Sequence, residues 1–286
     1  MNGRFRRVLP TFLVIGAMKA GTTSLAEYLG AHPDIFVTAE KEPHFFSFRD
    51  RQALGLEWYE SLFDRADGAL ARGEASTTYT KYPRFPGTPA RIAQVVPDVR
   101  LIYVVRQPVD RIRSQYLHEV SRGQQVRPLA EVLRERPTYV DTSRYGLQLD
   151  QYLEHFPAGQ LLVLTADQLR HDRQATMARV FGFLGVDPAA AQGALHREHH
   201  RTSDRTAPRP FDRLLESVPG RRLAGRLAPA PLTTAYQRFS RRPLTDFRAA
   251  AELPPAVENV LKAELQGDVA RLRDFLGDGF DGWGIA

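Results

Sequence analysis

Near the N-terminus, four apolar residues run straight into two glycines five positions apart, and a hydroxyl cluster then opens a helical pattern: Phe12-Leu-Val-Ile-Gly16-Ala-Met-Lys19-Ala-Gly21-Thr22-Thr23-Ser24-Leu25. β-Formers before the glycines and helical periodicity from there to Gly30 predict a strand, a tight loop and a helix. Glycines let such a backbone close around an anion. The leading N–H groups and the dipole of the new helix then attract phosphate.

The spacing is almost that of the triphosphate loop G-x-x-x-x-G-K-[ST], but Thr22 follows the second glycine and the lysine, Lys19, sits inside the loop. A lysine after the second glycine reaches β- and γ-phosphates beside a magnesium ion. One at the crown leans over a single 5′-phosphate and its leaving oxygen, which suits a phosphosulfate better than ATP. The plain alternative is a β–α turn that binds nothing, and lysine usage speaks against it. Only four lysines (19, 41, 81 and 262) occur among 39 basic residues, so a preference for arginine was overridden at Lys19.

At 286 residues, 43% of them hydrophobic, the chain can bury a full core, and one globular domain over 1–286 is the expectation. Its core is expected at about 10–190, followed by an arginine-rich segment at 197–242 and a C-terminal helix at about 255–276. There is no cysteine, so disulfides, a thiolate nucleophile and cysteine metal sites are excluded. A reducing compartment fits, and the expected location is cytoplasmic. Arg4, Arg6 and Arg7 precede an apolar run in the manner of a secretory leader. That run contains Pro10 and passes directly into the glycine loop, so it is read as a buried first strand. Nothing approaches the roughly 18 apolar residues of a membrane span.

The net charge of +6 is concentrated, because eleven arginines face four acids between Arg197 and Arg242. That segment is either a solvated surface or a face meeting an anionic ligand, acceptor or membrane surface. Nucleic acid is not expected as a partner, since stacking aromatics are sparse there and no binding motif occurs.

A second informative stretch follows His32-Pro33 and the short apolar run Ile35 to Val37: Glu40-Lys41-Glu42-Pro43-His44-Phe45-Phe46. The residue before a proline is pushed to extended geometry, which puts Glu42 on a loop. Desolvation by the aromatics beside it would raise its pKa and make it a usable general base. An exposed glutamate in a turn is the other reading, and His44 is open to the same two. Gly73-Glu74-Ala75-Ser76-Thr77-Thr78-Tyr79 is then expected as a polar, hydroxyl-rich segment after an edge strand.

The third element is Leu101-Ile-Tyr-Val-Val105-Arg106-Gln107-Pro108-Val109-Asp110-Arg111-Ile112-Arg113-Ser114-Gln115-Tyr116. A continuous apolar run predicts a buried parallel strand, and Pro108 suits the first turn of a helix whose stripe is Val109, Ile112, Tyr116 and Val120. Arg106 falls at the C-terminal end of the strand, where open α/β sheets place their ligands. There it makes a good bidentate phosphate partner, and Ser114, off the stripe two turns into the helix, can add a neutral donor. The alternative for Arg106 is a structural cap. The remainder alternates as an α/β chain should: a helix over Tyr145 to Phe156, a strand at Leu161 to Leu164, and a helix over Met177 to Leu184 closed by Gly185. A last helix runs from Pro255 to about Leu276, with Val257, Leu261, Leu265, Leu272 and Phe275 on its buried side.

In this order and spacing, Gly16-Ala-Met-Lys19-Ala-Gly-Thr-Thr23, Glu42-Pro-His-Phe-Phe46 and Arg106-Gln-Pro-Val-Asp-Arg-Ile-Arg-Ser114 resemble the sulfotransferases that use 3′-phosphoadenosine 5′-phosphosulfate (PAPS). Within that superfamily the likeness is to the heparan sulfate sulfotransferases and their bacterial relatives. It runs from about Phe12 to Leu184 and returns weakly in the last helix. The resemblance implies that Lys19, Ala20, Gly21, Thr22, Thr23 and Ser24 hold the 5′-phosphosulfate, with Lys19 neutralising charge on the leaving phosphate oxygen. It implies Arg106 and Ser114 at the 3′-phosphate and Glu42 as the base that takes a proton from an acceptor hydroxyl or amine. His118 falls where N-sulfotransferase relatives carry a histidine near the acceptor. The scheme requires no metal, and its product is 3′-phosphoadenosine 5′-phosphate.

The departures lie mainly on the acceptor side. Heparan relatives often carry a lysine directly after the glutamate of the 74–79 segment, and here that place is Ala75. Their lysine- and glycine-containing late loop has no clear copy, His200-Arg201-Thr202-Ser203-Asp204-Arg205 being the candidate substitute. Their disulfide is impossible without cysteine. The expectation is therefore an α/β, P-loop-like three-layer domain with a central parallel sheet flanked by helices. It transfers a sulfuryl group to a glycan or other small-molecule acceptor, an anionic one being a reasonable hypothesis. The alternatives are a small-molecule kinase using ATP, which wants magnesium and a lysine where Thr22 stands, and a catalytically silent nucleotide-binding module.

Overall fold

A computed structural model describes residues 8–125, 127–191, 206–208, 241–243 and 247–286. Five parallel strands, β1 (Phe12–Gly16), β2 (Ile35–Val37), β3 (Ala71–Ala75), β4 (Arg100–Val105) and β5 (Leu161–Thr165), form one sheet in the order β2-β3-β1-β4-β5. Leu13 of β1 stands opposite Glu74 on one side and Leu101 on the other, and Val105 of β4 stands opposite Thr165. β1 and β4 are continuous apolar runs because parallel strands covered by helices are buried on both faces. Phe12, Leu13, Ile15, Leu101, Ile102 and Val104 are fully buried accordingly.

The helices are α1 (Thr22–Gly30), α2 (Arg49–Gln52), α3 (Gly55–Ser61), α4 (Thr88–Val95), α5 (Pro108–Ser121), α6 (Leu129–Glu135), α7 (Thr138–Asp141), α8 (Tyr145–Leu153), α9 (Ala166–His171), α10 (Arg173–Leu184), α11 (Arg248–Ala251) and α12 (Pro255–Leu276). Local signals set their ends. Proline opens α5 and α12, where its missing N–H is harmless. Thr165 and Gln168 cap α9 reciprocally, and Gly185 closes α10. The expected central parallel sheet flanked by helices is what the chain adopts.

The residues fall into two compact units, one of 1–111, 138–199 and 260–286 and the other of 112–137 and 200–259. The first holds the sheet. In the second, Arg136 pairs with Glu119 at 2.6 Å, Arg113 pairs with Glu258 at 2.6 Å, and the Tyr116 hydroxyl donates to the Arg127 carbonyl at 2.9 Å. It also holds an antiparallel pair, β6 (Thr206–Pro208) with β7 (Arg241–Pro243). The rest of the arginine-rich segment 197–242, and the candidate late loop His200–Arg205, lie outside the described residues.

One expectation is corrected. Gly73 to Ala75 do not follow an edge strand; they belong to β3, which is interior, between β2 and β1. The sequence Ala-Arg-Gly-Glu-Ala hides it, having neither β-formers nor alternation. Packing explains the glycine, since a Cβ at Gly73 would lie 2.3 Å from the Phe12 carbonyl oxygen and 2.6 Å from its ring. Gly73→Ala is therefore expected to lower stability by about 2 kcal/mol, seen as a fall in the urea midpoint at unchanged m value; a wild-type midpoint would contradict this packing.

Candidate active site

Because the five strands are parallel, their C-terminal ends open on one edge of the sheet, where such folds bind ligands. The segments leaving β1, β2, β3 and β4 there carry Lys19, Glu42, Thr77 with Thr78, and Arg106 respectively.

The loop after β1 is fixed through its backbone. Ala17 N–H donates to the Val104 carbonyl at 2.6 Å, and the Thr80 hydroxyl donates to the Ile15 carbonyl at 3.1 Å. A Cβ at Gly16 would sit 1.9 Å from that hydroxyl oxygen, so only glycine fits. Arg111 is fully buried, and its guanidinium donates to Ser143 Oγ at 2.6 Å, to the Tyr139 carbonyl at 2.5 Å and to the Met18 carbonyl at 3.4 Å. The loop crown is thus held from beneath by a cation. Leu25 N–H bonds back to the Gly21 carbonyl at 3.1 Å, so α1 begins directly at the loop's end. Ala20 and Thr22 are buried, Lys19 and Ser24 half-buried, and Gly21 and Thr23 exposed.

Backbone strain marks the same residues. Four non-glycine residues have positive φ among those described: Lys19 at +70°, Glu42 at +51°, His44 at +59° and Trp283 at +54°. Conformations of this kind persist where surrounding structure over-determines them, typically at functional sites. Three of the four lie on the loops that leave β1 and β2.

Glu42 lies on a loop, as expected, but the aromatics beside it do not cover it. Its side chain is 46% exposed, while Phe45 turns inward to stack on Tyr59 at 4.5 Å and Phe46 packs edge-on against Tyr79. Glu42 is held by its neighbours' polar atoms instead. The Thr77 hydroxyl donates to Glu42 Oε2 at 2.9 Å, and His44 Nε2 lies 3.4 Å from the same oxygen. His44 is anchored on its other side, with its N–H on Ser76 Oγ at 3.0 Å and its Nδ1 2.9 Å from Thr78 Oγ1. Burial holds the imidazole pKa below its usual value against the pull of Glu42, and the Lys81 and Arg51 charges lower it further. Lys81 also reaches the loop after β1, its Nζ lying 3.2 Å from Met18 Sδ.

The desolvated carboxyl is Glu74. It is fully buried in β3, accepts from the hydroxyls of Tyr79 at 2.6 Å and Tyr59 at 3.4 Å, and is pushed up by burial to about 7. At the end of β4, Arg106 is about one-third exposed, with Asp110 at 4.0 Å. The Tyr145 hydroxyl, itself pushed up to about 12 by burial, donates to the Arg106 carbonyl at 2.7 Å. Ser114 and His118 belong to the second unit, where Ser114 is buried and His118 half-buried on α5. Among the described residues no cluster of His, Asp or Glu is arranged to hold a metal ion, and no helix is long and apolar enough to cross a membrane.

The sequence reading missed Ser47, Arg111 and the burial of Glu74, and it left His44 open. The hydroxyl run Ser76-Thr77-Thr78 directly after a strand was the available signal. Its pairing with a loop more than thirty residues earlier was not.

Comparison with known proteins bears on the same edge of the sheet. A family model described as "Sulfotransferase domain" matches residues 9–206. The mouse heparan sulfate glucosamine 3-O-sulfotransferase 3B1 is 36% identical over 199 residues, 65% of this chain and 48% of that protein. The human heparan sulfate glucosamine 3-O-sulfotransferase 6 is 36% identical over 198 residues, 65% of this chain and 55% of that one. The chain therefore spans about half the length of the curated relatives it matches. Among solved structures, a sulfotransferase from Alicyclobacillus acidocaldarius superposes with a TM-score of 0.68 at 25% identity, over 96% of this chain and 99% of its own.

The raised Glu74 pKa makes stability depend on pH. The folded protein keeps a proton up to about 7 that the carboxyl loses near 4.5 when unfolded. Stability supplied by the neutral carboxyl is thus complete below the unfolded value, falls as pH rises through this window, and levels off above the folded value. Glu74→Gln removes the titration. Its unfolding free energy relative to wild type should rise by on the order of 3 kcal/mol from the acid to the alkaline end of the window in denaturant titrations. A difference that does not change with pH would contradict the assignment.

Proposed function

The chain belongs to the sulfotransferase domain family, and we propose that it transfers a sulfuryl group from PAPS to a hydroxyl or amine of an acceptor, with Glu42 as general base. The observation that carries the reading is the grouping of Lys19, Glu42 and Arg106 on segments leaving three strands at one edge of the sheet. The donor set suits a phosphosulfate. A glycine that lets the backbone close, a crown lysine and a helix N-terminus address the 5′ end, and a strand-end arginine addresses a 3′-phosphate.

PAPS supplies an activated sulfuryl group on a phosphate leaving group, and the chain's own residues do the rest. Lys19 and the amides heading α1 hold the 5′-phosphate and neutralise charge as its bridging oxygen leaves. Arg106 holds the 3′-phosphate, the group that separates this donor from ATP, and Ser114 of the same motif is the proposed neutral donor. Glu42 takes the acceptor proton as the acceptor oxygen or nitrogen attacks sulfur in line. Positioning and electrostatics supply most of the rate, as in phosphoryl transfer. His118 is kept as an acceptor-side candidate.

The names of the relatives favour a glycan acceptor. Ala75, standing where heparan relatives often carry lysine, argues for an acceptor contact of another kind. A cytoplasmic, single-domain enzyme of bacterial type remains part of this proposal.

Transfer from sulfur-labelled PAPS tests the reading. Wild type should label an acceptor with a chelator present. Glu42→Gln should lower kcat by about 10²- to 10⁴-fold and leave the affinity for 3′,5′-adenosine bisphosphate unchanged. Phosphoryl transfer from magnesium ATP, or full activity in Glu42→Gln, would contradict it.

A further inference from the structure

At Arg106 the chain leaves β4, whose register with β5 ends at Val105 opposite Thr165. One side chain takes over where the ladder stops. The Tyr145 hydroxyl donates to the Arg106 carbonyl at 2.7 Å and accepts from the Arg106 N–H at 3.4 Å, so both backbone groups of the strand-end arginine address a single oxygen. The direction of the shorter bond is fixed, because a carbonyl only accepts. Tyr145 is fully buried at the start of α8, and burial pushes its hydroxyl up to about 12, so the proton that this bond needs stays in place at neutral pH.

The ring is aimed by its neighbours. Tyr103 packs edge-on against it at 6.0 Å, and Trp283 lies 6.1 Å away. Trp283 is the fourth of the positive-φ residues, held by Asp281, whose carboxylate accepts its N–H at 2.9 Å, and by Phe280 edge-on at 4.6 Å. The stretch that carries Tyr145 also reaches the loop after β1. Ser143 Oγ and the Tyr139 carbonyl accept from the Arg111 guanidinium, which in turn donates to the Met18 carbonyl in that loop. Ser143 further donates to the Pro108 carbonyl at 3.3 Å, two residues past Arg106. Residues 139–145 are thus bonded to the backbone that follows β4 and, through Arg111, to the crown of the loop after β1.

We propose that Tyr145 is a positioning residue for Arg106, and that the stretch 139–145 sets the separation between Arg106 and the loop after β1 to the span between the 3′- and 5′-phosphates of one nucleotide. The Arg106 guanidinium itself is loosely held, about one-third exposed with Asp110 at 4.0 Å, so its reach depends on where the backbone points it. Two anion sites held at a fixed separation favour a ligand carrying both phosphates over one carrying either alone, because the second contact needs no further ordering. The inference rests on the reading of Arg106 as the ligand of the 3′-phosphate.

Calorimetric titration of 3′,5′-adenosine bisphosphate and of AMP into the full chain tests it, with the ratio of the two affinities as the readout. Tyr145→Phe keeps the ring and removes the hydroxyl. It should lower the ratio about 10-fold, the size of one hydrogen bond, by weakening the bisphosphate while AMP binds as to wild type. Tyr152→Phe is the control for a merely structural effect, since it removes a buried hydroxyl from the same helix, one that donates to the Tyr79 carbonyl at 3.0 Å. It should lower the urea midpoint and keep the wild-type ratio. Added to Arg106→Ala, Tyr145→Phe should change the ratio no further. In transfer assays it should raise the KM for PAPS more than it lowers kcat. A wild-type ratio in Tyr145→Phe beside a lowered one in Arg106→Ala, an equal fall in Tyr152→Phe, or additive effects in the double variant overturns the proposal. A wild-type ratio in Arg106→Ala is a different result, because it removes the 3′-phosphate assignment itself, and the proposal falls with it.

Discussion

The backbone between Ile15 and Met18 is fixed from three sides, and the proposed donor site depends on that fixing. Val104 receives the Ala17 amide, Thr80 binds the Ile15 carbonyl, and the buried guanidinium of Arg111 holds the Met18 carbonyl. A buried arginine is tolerable only when its N–H groups are well satisfied, so the crown, Ser143 and the Tyr139 carbonyl stabilise the charge as much as the charge stabilises them. The result is a loop with positive potential beneath it and a lysine in a left-handed conformation at its top. A loop held in this way would meet the proposed 5′-phosphate with little reorganisation.

On the segment leaving β2 and within β3, two carboxyls sit in opposite environments. Glu42 is half-exposed and met by a hydroxyl and an imidazole. Glu74 is sealed among Tyr59, Tyr79 and the neighbouring aromatic cluster and keeps its proton to near neutrality. The carboxyl proposed as the base is the one left accessible, and the sealed one is part of the core. The arrangement runs contrary to the expectation that aromatics after Glu42 would desolvate the base. They desolvate Glu74 instead, because Phe45 and Phe46 turn into the core.

What was legible in the sequence is what short-range patterns encode. The β1–loop–α1 stretch and the apolar run of β4 leading to Pro108 each specify local geometry within a few residues, and each appears where expected; Glu42 before Pro43 does fall on a loop, but at a φ of +51° rather than in the extended geometry the proline predicts. β3 was illegible because its interior position is set by partners on both sides and by a glycine needed for Phe12, while its own residues read as polar. The relay from Glu42 through His44 to Thr78 and Ser47 was illegible for a related reason. It joins segments more than thirty residues apart, brought together by parallel pairing, and no local propensity records that. Arg111 looked like one more basic residue in an arginine-rich chain until burial singled it out.

The central claim is that the clamped loop and the arginine at the end of β4 make a site for a nucleotide phosphorylated at both its 3′ and 5′ positions. Calorimetric titration of 3′,5′-adenosine bisphosphate, AMP and ATP, without metal, into wild type and Arg106→Ala tests it most directly. The account predicts selective binding of the bisphosphate by wild type and loss of that selectivity in the variant. Equal or tighter binding of ATP, above all with magnesium restored, would contradict it.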